Sequence, residues 1–260
     1  MPQYLIIAGV VAYGLVIGSF LNVVIYRLPR RIPFGMSRSK CPHCGHQIRW
    51  YENIPVISYL FLFGRCSSCK AGISPRYPLI ELISSVTYLY LYFQCGLTMQ
   101  LAIYALVATA LIVIFFIDLD YYIIPDVITY PGLAIGLAVS FLPGGLDIVQ
   151  AVIGAVVGGG ALYAVAMLGQ LLFKKESMGG GDIKLTAMLG AFLGWQNVIV
   201  IFLLSAAIAL VISLVVMAVS AKFRQSRMIP FGPFIAIAAV IAMTHGSDLI
   251  ALYLSTLAQR

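Results

Sequence analysis

The sequence predicts an all-α polytopic membrane protein, about eight transmembrane helices interrupted by one small cysteine-bearing loop domain. Three observations carry this. Hydrophobic residues make up 62% of the 260 positions and charged residues only 10%, where a soluble domain carries about a quarter charged. Apolar runs of bilayer-spanning length recur from end to end. The basic residues are gathered into groups at the ends of those runs.

The charge pattern sets the orientation. The net charge is +7, which invites a nucleic-acid reading, but the positions argue against one. Nine Lys/Arg fall between Arg27 and Arg76. Lys174, Lys175 and Lys184 form a second group, Lys222, Arg224 and Arg227 a third, and Arg260 is left over. Cytoplasmic loops retain positive charge, so these groups belong on one side, against the anionic phospholipid bilayer. Nucleic acid is not required.

The first run, Tyr4 to Ile25, has no basic stretch before it, and its charges follow it. It reads as a retained first helix with its N-terminus outside rather than a cleaved signal. Spans are expected at roughly 4–26, 78–95, 98–117, 125–142, 148–172, 183–194, 196–220 and 230–256. That even count places the basic groups inside and both termini in the periplasm. The run 183–194 is short, about 12 residues against the usual ~20, so it predicts a partial helix sheltered by its neighbours. The glycines at 154 and 158–160 lie within a span and predict close helix–helix packing.

The domain organisation expected is a first transmembrane helix over 1–26, a cytoplasmic loop domain over 27–77, and a helix bundle over 78–260. The loop holds Pro29, Pro33, Pro42, Pro55, Pro75 and four of the five cysteines. It is too short for a large core and needs a staple. Cys41-Pro-His-Cys44 and Cys66-Ser-Ser-Cys69 are paired C-x-x-C motifs with 21 residues between them. Four such thiolates can close a tetrahedral zinc site, at a spacing slightly beyond the usual ribbon range. A reducing cytoplasm disfavours disulfides; unliganded thiols or a redox pair are the alternative. His43 and His46 read as bystanders. A four-cysteine site has no open position, so the metal would be structural.

Carboxylates near the membrane interior are costly, about 2.5–3.5 kcal/mol each at mid-bilayer, and each needs a reason. Asp118 closes the third span, and Asp182 opens the sixth within Gly179-Gly180-Gly181-Asp182-Ile183-Lys184. Both lie at cytoplasmic ends, so the helices can bring them face to face. Facing carboxylates can share one proton: the charged one activates water and the neutral one hydrogen-bonds a scissile carbonyl. The glycines admit a close substrate backbone. The same placement suits a proton or ion relay in a transporter, and a non-catalytic assembly platform is a third reading. Asp126, Asp147, Asp248 and Glu176 read as ordinary interfacial carboxylates, and Asp120 is ambiguous.

At these residues the chain resembles the type IV prepilin peptidases, bacterial aspartic intramembrane proteases. Gly18-Ser-Phe-Leu-Asn-Val-Val-Ile-Tyr-Arg-Leu-Pro29 resembles the family's first-helix motif. Cys41-Pro-His-Cys44, Trp50-Tyr-Glu-Asn-Ile-Pro-Val-Ile-Ser-Tyr59, Gly64-Arg-Cys66 and Ile73-Ser-Pro-Arg-Tyr-Pro-Leu-Ile-Glu81 resemble its loop. Asp118 to Asp126, Gly179 to Lys184 and Phe231-Gly-Pro233 resemble its aspartate and last-helix motifs. The ordered set is far more specific than any one motif.

The resemblance implies a bacterial inner-membrane enzyme. It implies removal of basic leaders from prepilins and pseudopilins on the cytoplasmic side after a glycine. It also implies N-methylation of the new terminal residue from S-adenosylmethionine, the activity associated with the cysteine loop. By matching position, Asp118 and Asp182 are the catalytic pair, Asp118 rather than Asp120 because of its distance to Ile124-Pro125. Gly179, Gly180, Gly181 and Lys184 are expected beside the substrate. Glu52 and Glu81 are candidates for contacting the new amine or the methyl donor, with salt bridges to nearby arginines as the plainer alternative. Asp120, Asp126, Glu176 and Glu81 are candidates for receiving the basic leader. Oligomeric state and the individual pilins are not legible.

Overall fold

The computed structural model describes residues 2–33, 39–174, 179–219 and 229–258. Lys175, Glu176, Lys222, Arg224, Arg227 and Arg260 lie outside the described residues. All regular structure among the described residues is helical, apart from two isolated bridges, Lys40–Gln47 and Arg65–Gly72. The helices are α1 (Gln3–Arg27), α2 (Ile57–Phe61), α3 (Arg76–Cys95), α4 (Met99–Tyr121), α5 (Asp126–Val139), α6 (Ile148–Phe173), α7 (Gly180–Val219) and α8 (Gly232–Ala258), with a 3-10 turn at Trp50–Asn53. Five of them, α1, α4, α6, α7 and α8, are long and apolar enough to cross a membrane. α5 is apolar but shorter.

The chain divides into two compact units, Met1–Leu97 and Thr98–Arg260. In the first, α1 lies along α3. Gly14 and Gly18 of α1 meet the backbone of Ser85 and Glu81, so the two helices approach at backbone distance. The Asn22 amide donates to the Tyr77 carbonyl at 3.1 Å and the Ser85 hydroxyl to the Val11 carbonyl at 3.1 Å, fixing the stagger. The loop between the helices is two matching knuckles. Cys41 N–H bonds the His46 carbonyl and Gly45 N–H the Cys41 carbonyl; Cys66 N–H bonds the Ala71 carbonyl and Lys70 N–H the Cys66 carbonyl.

In the second unit, α6, α5 and α8 all pack on α7, and α4 packs on α8. Val107, Leu111 and Ile114 of α4, Leu185 and Leu189 of α7, and Ile235 and Ala239 of α8 form its buried centre. Gly154 and Gly158 of α6 face the backbone of Gly190 and Thr186, where any side chain would collide. The Thr186 hydroxyl lies 3.0 Å from the Gly158 carbonyl across that seam. A straight helix of 40 residues would run ~60 Å, twice the ~30 Å apolar thickness of a bilayer. The chain resolves this at Gly194, whose φ of 80° and ψ of 165° leave the helical region. The expected link near Trp195 thus sits one residue earlier, at the position without a Cβ.

Candidate active site and metal centre

Asp118 occupies the last turn of α4. That turn ends because Tyr122 adopts the left-handed conformation and returns its N–H to the Asp118 carbonyl at 2.9 Å. Asp118 is only 5% exposed, beside the fully buried Ile114 and Ile117. Asp120 is exposed, because two residues turn an α-helix by about 200° and carry it to the opposite face.

Asp182 lies in the first turn of α7 and is 9% exposed. Its N–H reaches back to the Gly179 carbonyl at 3.1 Å. Gly179 and Gly180 are open to solvent, whereas Gly181 touches Ile124; a Cβ there would lie 2.8 Å from the isoleucine Cβ. Glycine at 181 therefore lets the segment after α4 close against the start of α7.

The third contributor is α8. The N–H of its first residue, Gly232, donates to Asp118 Oδ2 at 3.0 Å. A helix N-terminus carries unsatisfied N–H groups and partial positive charge, which suit a carboxylate. A Cβ on Gly232 would stand 2.6 Å from that oxygen, so only glycine permits the bond at this spacing. Pro233 follows in the first turn, where a missing N–H costs nothing. Asp118, Asp182, Gly179, Gly181, Tyr122, Ile124 and the Ile229–Pro230–Phe231 strap line one cavity of about 380 Å³.

Lys184 sits apart from this arrangement. Its ammonium binds both oxygens of Asp126, at 2.8 and 2.9 Å, and lies 5.1 Å from the Tyr130 ring centre. Lys184, expected beside the substrate, ties the start of α7 to the start of α5. Exposed pairs of this kind contribute at most about 1 kcal/mol, roughly a fivefold effect. Lys184→Ala should lower activity by about that factor, and the double exchange Lys184→Asp with Asp126→Lys should recover most of it. A loss that the exchange leaves untouched would mean that Lys184 acts on something other than Asp126.

The four loop cysteines converge. All four Sγ atoms lie within 4.8 Å of one another, with Cys41 and Cys69 at 3.8 Å. A tetrahedral zinc with ~2.3 Å bonds sets its sulfurs ~3.8 Å apart. The Cys44 and His43 N–H groups draw the Cys41 thiol down to about 7. Although the Ala71 N–H favours its thiolate, burial and the neighbouring sulfurs push Cys69 up to about 11. Four crowded thiols cannot all ionise without a cation among them, and the donor set fits a metal ion.

Glu52 braces the loop from inside. It accepts the Arg49 N–H at 2.8 Å and lies 3.2 Å from His46 Nε2. The Arg49 N–H, the Ser67 hydroxyl and His46, in that order, hold its carboxyl at about 2. Glu81 is buried and accepts the Val56 N–H at 2.7 Å. Both carboxylates are therefore tied to loop backbone; the Arg49 charge also acts on Glu52, and among the described residues neither makes a salt bridge with an arginine.

The site features missed in the sequence are Gly232 as a donor and the Lys184–Asp126 tie. The first appears there only as part of a motif resemblance, since a backbone N–H leaves no side-chain signature.

Sequence comparisons place the chain in a family. Residues 12–95 match the model of the bacterial peptidase A24 N-terminal domain, and residues 105–214 that of the type IV leader peptidase family. A prepilin leader peptidase/N-methyltransferase from Stutzerimonas stutzeri is 40% identical, covering 93% of this chain and 91% of its own. The proteins of the same name from Pseudomonas aeruginosa and Aeromonas hydrophila are 38% and 39% identical. They cover 93% and 94% of this chain and 91% and 92% of their own. No solved structure matches. On both halves of its length, then, this chain belongs to the type IV leader peptidase family, peptidase A24.

Proposed function

We propose that this chain is an aspartic endopeptidase of the bacterial inner membrane that removes the basic leaders of prepilins and pseudopilins after a glycine, and that it N-methylates the new terminus from S-adenosylmethionine. The observation that carries the proteolytic half is the meeting of Asp118, Asp182 and the Gly232 N–H at one cavity. The methyl-transfer half is supported by the names of the relatives.

The asymmetry between the aspartates suggests their roles. Asp118 receives a backbone donor at a helix N-terminus, which stabilises a carboxylate; Asp182 takes the shared proton. Asp118 then removes a proton from water as its oxygen attacks the scissile carbonyl carbon. Asp182 gives its proton to the carbonyl oxygen. The tetrahedral gem-diol collapses with cleavage of the C–N bond: the leaving amine takes the proton held by Asp118, and one hydroxyl of the gem-diol returns its proton to Asp182, restoring the starting state. The open glycines 179 and 180 leave room for an extended substrate backbone. Of the carboxylates expected to receive the leader, Asp126 is held by Lys184 and Glu81 by the Val56 N–H; Asp120 is exposed on the last turn of α4, and Glu176 lies outside the described residues.

The four-cysteine centre is read as structural zinc. Its removal by chelation, or Cys44→Ser, should release bound zinc stoichiometrically and make the 39–72 segment sensitive to protease, because metal binding and loop folding are one equilibrium. A metal-free protein with a protease-resistant loop would contradict this. S-adenosylmethionine would supply an electrophilic methyl group. Glu52 and Glu81 already hold partners in the loop, so no step of methyl transfer is assigned to either. The topology that fits the charge pattern has eight crossings, counting α3, α5 and both halves of α7, with the loop and the aspartates at the cytoplasmic face.

The test is to incubate the purified protein with a prepilin, with and without S-adenosylmethionine, and to weigh the product. Loss of the leader mass without cofactor, and a gain of one methylene with it, are expected. An unchanged mass in both arms refutes the proteolytic reading; cleavage without the added mass refutes methylation alone.

A further inference from the structure

The loop of the first unit displays large apolar side chains that nothing in that unit covers. Trp50, Phe61 and Phe63 are 81%, 80% and 89% exposed, and Leu60 is exposed beside them. In water, such a cluster marks an interaction surface.

The position of the turn that leads into α2 points to what covers this cluster. Val56, immediately before α2, donates its N–H to Glu81 at 2.7 Å. Glu81 packs against Gly18 of α1, where an added Cβ would lie 2.6 Å from the Glu81 Cα. Gly18 precedes the end of α1 at Arg27 by nine residues, or ~13 Å along the helix. The loop therefore does not simply project from the ends of α1 and α3. Its Val56 turn folds back onto the carboxylate of Glu81, five residues inside α3 and packed on α1, a helix apolar enough to cross a bilayer. Val56 adopts φ 59° to make this return, a conformation β-branched residues avoid, and the buried Glu81 carboxylate holds it there. Arg49, Arg65 and Lys70 of the same loop supply positive charge.

We propose that the 57–63 segment is an interfacial anchor, with Leu60, Phe61 and Phe63 seated at the boundary between headgroups and acyl chains of an anionic bilayer. Aromatic side chains partition to that boundary, and basic residues beside them are attracted to anionic headgroups. The anchor fixes the four-cysteine knuckles against the membrane at two ends and one middle point. It depends on the membrane reading of α1 and α3 and not on peptidase chemistry.

The chain carries two tryptophans. With Trp50→Phe and Trp195→Phe, Phe61→Trp becomes a single probe, and Phe63→Trp in the same background is a second. Each is placed in nanodiscs of phosphatidylcholine and phosphatidylglycerol, with bromines at successive acyl depths. The anchor predicts blue-shifted emission that falls by about half or more with bromines in the outer ~5–10 Å of the acyl region. Adding Glu81→Leu should weaken that quenching. Red, unquenched emission from both probes would show a water-exposed loop. Blue-shifted but unquenched emission would show a protein surface covering it. Either result overturns the proposal.

Discussion

Asp118→Asn and Asp182→Asn should each lower prepilin cleavage by about 10⁴-fold or more, while leaving the purified protein folded and its metal centre loaded. The size follows from the division of labour. An amide at position 118 cannot accept a proton from water, and an amide at position 182 cannot deliver one to the carbonyl oxygen. Residues acting as one unit are also non-additive, so the double variant should be no slower than the worse single variant. Folding should survive because the amide is nearly isosteric: it still presents an oxygen to the Gly232 N–H, which lies 3.0 Å from Asp118 Oδ2. Each variant also removes a costly carboxylate from a buried position. Asp120→Asn, on the exposed face of the same turn, is the matched control: kcat should be retained, and any change should fall on KM. Cleavage rates and thermal melting measured on the same preparations separate loss of chemistry from loss of fold. Two variants that still cut at more than about a hundredth of the parent rate would remove the aspartates from the mechanism.

Gly232→Ala should have the next largest effect, a fall in kcat of about 10²-fold, with a smaller change in KM. The added methyl has nowhere to go, since its Cβ would stand 2.6 Å from Asp118 Oδ2 and 3.1 Å from the carboxyl carbon. Either α8 retreats and the N–H bond lengthens, or the Asp118 side chain rotates away. A displacement of about 1 Å in a catalytic group costs roughly 10²-fold. Because the substitution touches Asp118, the proposed base, and not the substrate, the change should appear in kcat. Gly180→Ala is a useful contrast: the position has open space around it, so any effect should come through the substrate and fall on KM. A substitution at Gly232 that raised KM alone would place α8 in substrate binding rather than in holding the aspartate.

The two positions show where sequence reading succeeds and where it stops. The spans were legible because lipid imposes a length: runs near twenty apolar residues became α1, α4, α6 and α8 with ends shifted by a few residues. The cysteine spacing was legible because metal geometry allows few alternatives, and the four sulfurs do converge. Asp118 and Asp120 could not be separated by residue type, only by helical phase, and burial of Ile114 and Ile117 sets that phase. Gly232 lies 114 residues from its partner and contributes only backbone, so neither periodicity nor composition points to it. Lys184 looked available to a ligand because its partner, Asp126, is 58 residues away and sits on another helix. Contacts between distant elements, made by backbone or by exposed charge, are what the pattern along a chain leaves out.

The most direct measurement is an experimental structure of the protein in a bilayer mimetic, bound to a prepilin-derived peptide whose scissile bond is replaced by a hydroxyl-bearing isostere. The account predicts one isostere hydroxyl within about 2.6–3.2 Å of a carboxyl oxygen of both Asp118 and Asp182, with the Gly232 N–H still on Asp118. A hydroxyl bound by one aspartate alone, or seated outside the cavity, would contradict it.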